Sequence, residues 1–138
     1  MTAPDPVNPP LDLVGTWALI AHVNTDDEGR VLPSTYGPQG IGLIQFCATG
    51  RMMVTLADGR AHIPAADRRR FYSSYTGLWH WQGDTLIVDV DAATDPERIG
   101  GQQIRRVHYA DNVLSLFPPP IEIDGVLNHR QLTWRRIA

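Results

Sequence analysis

Residues 74–91 read Ser-Tyr-Thr-Gly-Leu-Trp-His-Trp-Gln-Gly-Asp-Thr-Leu-Ile-Val-Asp-Val-Asp. Two runs rich in aromatic and β-branched residues flank Gln82-Gly83-Asp84, a triplet that accepts positive φ and forms a tight turn. The stretch therefore predicts a hairpin of strands 74–82 and 85–91. Within the second strand, alternation puts Leu86, Val88 and Val90 on one face and Ile87, Asp89 and Asp91 on the other, so the acids are expected in solvent. The same rhythm extends in both directions. Strands are predicted at 15–23, 40–47, 51–57, 102–109, 113–117 and 129–137. Turns fall at 26–29, 48–50, 58–59 and 110–112, each rich in Gly, Asp or Asn. Loops this short join antiparallel neighbours.

The chain has 138 residues, about the size of one domain. The expected division is a flexible tail over 1–12 and a barrel domain over 13–138. One short helix is expected at 64–72, where Pro64 precedes a charged run that includes Arg68-Arg69-Arg70. The formal net charge of −3 speaks against a nucleic-acid surface and makes the arginine run a solvated face. The single Cys47 excludes an intramolecular disulfide framework, and residues 1–10 are polar and Pro-rich, without a basic and apolar leader pattern. No apolar run reaches the roughly 18 residues that span a bilayer. The expected location is the cytoplasm. The triplet Pro118-Pro119-Pro120 withholds ladder donors and ends a strand.

Eight antiparallel strands can form a sandwich or a barrel, and closure leaves no exposed edge. The fold class expected is all-β, an eight-stranded antiparallel up-and-down barrel with one short helix. An interior of that size holds side chains or one small ligand. On the strand at 102–109, Gln103, Arg105, Val107 and Tyr109 share one face, and Gln102, Ile104, Arg106 and His108 the other. Neither face is cleanly apolar, as suits either polar groups beside a bound molecule or a solvated edge.

The opening Gly15-Thr16-Trp17 resembles the Gly-x-Trp start of lipocalins, whose Trp plugs one end of the barrel. Further stretches follow in order: Gly42-Leu43-Ile44-Gln45-Phe46 with Thr49-Gly50-Arg51-Met52, and Tyr75-Thr76-Gly77-Leu78-Trp79 before Gly83-Asp84-Thr85. Then come Gly101-Gln102-Gln103-Ile104-Arg105-Arg106 and Leu132-Thr133-Trp134-Arg135-Arg136. Together they are similar to the compact bacterial and fungal lipocalin-like domain family, from about Leu13 to the end. The resemblance implies a calycin-type barrel whose inner face carries Trp17, Ile44, Phe46, Met52, Val54, Tyr75, Trp79, Val88, Gln103, Arg105, Val107 and Trp134. It also implies a last-strand basic residue, Arg136, laid over Trp17. The sequence departs from the family at Val88, where relatives often carry His, so no mechanism resting on that His carries over. Fold does not decide function here, since barrels of this shape host carriers, isomerases and cyclases.

If Arg105 faces inward, its permanent charge needs a protein carboxylate, aromatic faces or an oxyanion on a ligand. Tyr75, Trp79 and Gln103 would add an apolar wall and oriented hydrogen-bonding groups, although aromatics on strands are equally ordinary core. The expected ligand-binding residues are Ile44, Phe46, Met52, Val54, Tyr75, Trp79, Val88, Gln103, Arg105 and Val107. His22, His62, His80, His108 and His129 show no short metal-ligand spacing, and no metal or cofactor is expected. His80 and His108 become acid/base candidates only if the face assignment is off by one. Cys47 lacks a nucleophile signature, Ser73-Ser74 lacks elbow glycines, and Gly100-Gly101 lacks a phosphate-loop setting.

Two principal functions are compatible with these residues. One is binding of a small, largely apolar or amphipathic molecule, with Arg105 and Gln103 gripping its polar end. The alternative is a cofactor-independent isomerase, cyclase or lyase in which Arg105, Gln103 and Tyr75 stabilise an oxyanion. The absence of an evident inner base inclines toward binding. An interaction module would need a larger exposed apolar patch than monomers usually tolerate. The partner expected is the small ligand, with a homodimer as an open assembly state and neither nucleic acid nor membrane.

Overall fold

The computed structural model describes residues 12–70 and 72–138. Except for Asp12, the tail expected at 1–12 lies outside the described residues. Ten strands are described: β1 (Gly15–Thr25), β2 (Val31–Leu32), β3 (Gly40–Phe46), β4 (Arg51–Asp58), β5 (Tyr72–Gln82), β6 (Thr85–Ala93), β7 (Gln102–Ala110), β8 (Val113–Phe117), β9 (Ile121–Ile123) and β10 (Val126–Arg136). β1, β3 to β8 and β10 pair antiparallel in that order, and β10 returns to β1. The result is a closed, eight-stranded, up-and-down barrel.

Three local expectations are corrected. The helix expected at 64–72 is a 3-10 turn, Ala65–Arg70, because a run this short cannot offset the cost of α-helix nucleation. A second 3-10 turn, Pro96–Arg98, is capped by the Asp95 side chain accepting from the Glu97 amide. After the proline triplet the chain makes a small hairpin, β9 to β10, through Asp124 (φ 50°) and Gly125 (φ 80°). The last strand thus begins at Val126 rather than 129.

Inward residues divide the interior into a filled half and a hollow half. Trp17, Phe46, Met52, Leu86, Val88 and Leu114 are buried in the filled half, each such side chain contributing roughly 1.5–3 kcal/mol. Trp17 donates its indole N–H to the Leu13 carbonyl at 3.0 Å and meets the Tyr109 ring edge-on at 6.1 Å. Arg136 covers this end, its guanidinium 4.4 Å from the centroid of the Trp17 ring and bonded to the Val14 and Asp12 carbonyls. Gly77 also faces inward. A Cβ there would lie 2.2 Å from the Asp89 carbonyl oxygen, so β5 and β6 approach too closely for a side chain.

Two bulges reset the alternation. On β1, Leu19 pairs with Trp134 but Ala21 with Thr133, leaving Ile20 as the extra residue. On β6, Val90 pairs with Gly77 and Ala92 with Thr76, leaving Asp91 extra. Asp89 and Asp91 are exposed, as alternation requires, and bond to Gln102 and to Thr76 with Arg51. Ile87, on the outer face, is nonetheless 6% exposed, flanked across the ladder by His80 and Ile104.

Candidate functional site

The hollow half forms a half-open cavity of about 460 Å³, within the roughly 300–1,000 Å³ typical of small-molecule sites. Ile44 of β3, Val54 and Leu56 of β4, Leu116 of β8 and Leu132 of β10 form its apolar wall. Tyr36, Tyr75 and Trp134 add aromatic surface, and the turn carrying Asp95 and Arg98 forms part of the lining together with Pro118 and β9. Three cationic side chains line this space: Arg98, Arg105 and Arg130, from the 3-10 turn, β7 and β10.

Arg105 is held by its neighbours. Its Nη2 donates to Gln103 Oε1 at 2.8 Å and its Nη1 to the Ile104 carbonyl at 2.9 Å. Burial lowers its pKa from the usual guanidinium value, and the charge of Arg98 lowers it further. Burial likewise brings Arg130 down to about 10, helped by the charges of Arg105 and Arg98. Arg130 Nη2 donates to the Pro119 carbonyl at 3.0 Å, and its Nε has no partner among the described residues. Arg98 stands 3.9 Å from Asp95 and 5.9 Å from the Tyr75 ring centroid.

His22 is the group that reading by alternation missed. Counting in twos from Trp17 selects Leu19, Ala21 and Val23, but the bulge at Ile20 turns His22 and Asn24 inward instead. The His22 ring lies 5.5 Å from the Tyr36 ring, and neither ring nitrogen has a partner among the described residues. Burial first, and the Arg130 charge second, push its pKa down to about 4, so the imidazole is neutral near pH 7. The interior therefore offers a proton acceptor. His80 and His108, the acid/base candidates of a shifted face, are exposed outside, His80 at 3.8 Å from Asp89.

Of the ligand-binding residues expected from the sequence, Ile44, Val54, Tyr75 and Arg105 line the cavity, as does the inward Trp134. Phe46, Met52, Trp79, Val88 and Val107 point inward but belong to the packed core around the filled half. Gln103 acts on the site through Arg105. The same face assignment, carried back from Trp134 in steps of two, reaches Leu132 and Arg130, so the signal for Arg130 was present. Among the described residues, no group of three or more His, Cys, Asp or Glu side chains is placed to hold a metal ion.

With this geometry established, comparison with known proteins gives the class. A model described as a lipocalin-like domain matches residues 14–137, and the chain belongs to that family. Barrels of this fold commonly hold small hydrophobic ligands. The structure of an uncharacterized protein from Bacteroides eggerthii DSM 20697 is similar at 12% identity with a TM-score of 0.47, over 91% of this chain and 100% of that one. No curated protein matches the chain.

Proposed function

We propose that the barrel binds one small, largely apolar or amphipathic molecule, with the polar end of that molecule at Arg105 and its body against Ile44, Val54, Leu116 and Leu132. One observation carries this reading: a half-open cavity with an aliphatic wall holds a guanidinium that, among the described residues, no carboxylate neutralises. A charge left that way costs several kcal/mol unless something compensates it, and a ligand does so without filling the pocket permanently. Native mass spectrometry of gently purified protein should show a small molecule bound one to one, and N-phenyl-1-naphthylamine, a neutral apolar fluorophore, should bind at the same stoichiometry. Absence of both overturns the reading. The single Cys47 supports a reducing, cytoplasmic setting, and among the described residues no helix is long and apolar enough to cross a membrane.

His22 favours a second reading, a cofactor-independent isomerase, cyclase or lyase. A neutral imidazole beside two guanidiniums can take a proton while they stabilise the oxyanion left behind. If the retained molecule is a substrate, His22→Gln should keep its binding and lose its conversion, monitored by mass spectrometry. Conversion at the wild-type rate by the variant rejects the role.

A further inference from the structure

We infer that the ligand is an amphipathic anion, with a carboxylate or comparable oxyanion held between Arg105 and Arg130. This rests on the cavity-binding reading above and names the chemical class that the cavity takes. The two arginines come from β7 and β10, the strands that flank β8, and reach the cavity near Pro118, where β8 has ended. Arg98 brings a third positive charge from the 3-10 turn. Like charges in a partly desolvated site repel more strongly than in water; burial is the first cause of the depressed pKa of Arg130, and the charges of Arg105 and Arg98 add to it.

Outside the cavity three arginines are set against carboxylates, while Arg68, Arg106 and Arg136 meet carbonyls or a ring. Arg30 has Asp26 and Glu28, Arg51 has Asp91, and Arg60 has Asp58 and Asp67. Among the described residues the one acidic side chain lining the cavity is Asp95, half-exposed and 3.9 Å from Arg98. Arg105 and Arg130 are met by neutral oxygens instead, from Gln103, Ile104 and Pro119. Neutral acceptors orient a guanidinium without cancelling its charge. Among the described residues, Arg130 Nε, both nitrogens of His22 and the indole N–H of Trp134 have no partner, so hydrogen-bonding capacity lies beside the uncancelled charge. A bound cation would add to the repulsion, and a neutral molecule would leave it in place. An oxyanion removes it, while the aliphatic wall takes an apolar body.

The test compares 1-anilinonaphthalene-8-sulfonate with N-phenyl-1-naphthylamine, the same rings without the sulfonate, by fluorescence titration of the full chain. The wild type should bind the sulfonate the more tightly, one to one, and Arg130→Met should weaken it by about tenfold or more, the range of a charge-assisted hydrogen bond, leaving the neutral probe within about threefold. Should Arg130→Met fail to unfold cooperatively, Arg105→Gln makes the same comparison, and the wild-type preference requires no variant. Equal binding of the two probes, or an equal loss of both in the variant, overturns the anion assignment while the cavity reading stands. If neither probe binds, the cavity reading falls and this inference with it.

Discussion

His22 presents an imidazole to a cavity whose charges oppose its protonation. Its pKa of about 4 lies below the ordinary 6.5, so the unfolded chain takes up this proton first as pH falls. The stabilising contribution is complete above about pH 6.5 and is lost between 6.5 and 4, amounting to roughly 3 kcal/mol at about 1.4 kcal/mol per unit. His22→Leu should therefore remove most of the stability loss between pH 7 and 4.5, measured by urea unfolding. An unchanged pH profile contradicts the assignment. The low pKa values of Asp26, Asp58 and Asp91 act at lower pH, as these carboxylates protonate below their ordinary range. At this scale Arg105 was legible, because Gln103, Arg105 and Val107 alternate on an unbroken strand. His22 was not, because no local property of Leu19-Ile20-Ala21 distinguishes a bulge from a regular turn of the pleat.

The bulge in β1 is where element and site meet. Ile20 and Ala21 both face outward, so Trp17 and Leu19 stay inside on one side of the irregularity, and His22 and Asn24 on the other. A one-residue slip normally exchanges the two faces of a strand. Deleting Ile20 should do the opposite, restoring regular alternation with Trp17, Leu19, His22 and Asn24 all still inward. The deletion variant should fold, with some loss of stability from the lost strand bend, and should still bind 1-anilinonaphthalene-8-sulfonate. Loss of binding in a cooperatively folded deletion variant would contradict the face assignment. The β9–β10 hairpin shows the other way an element escaped notice: Ile121–Ile123 is too short for periodicity to detect, and its turn residues read equally well as loop.

For the whole molecule, closure of β10 onto β1 removes the free edges and turns one sheet face into an interior. Trp17, Phe46, Met52 and Leu114 fill half of that interior, under Arg136, while the half toward Arg98 and β9 stays hollow. The sequence by itself determined the strand rhythm, the hairpins and the outward acids, because these depend on period-2 patterning and turn chemistry that act within a few residues. Its resemblance to the lipocalin-like domains extended this to the barrel and the Trp17–Arg136 closure. Tertiary structure alone decided which inward residues pack against one another and which border space, and it brought His22, Arg98, Arg105 and Arg130 together from four elements. The bulge register and the position of the cavity arise from the closed sheet as a whole, so no local window of sequence contains them.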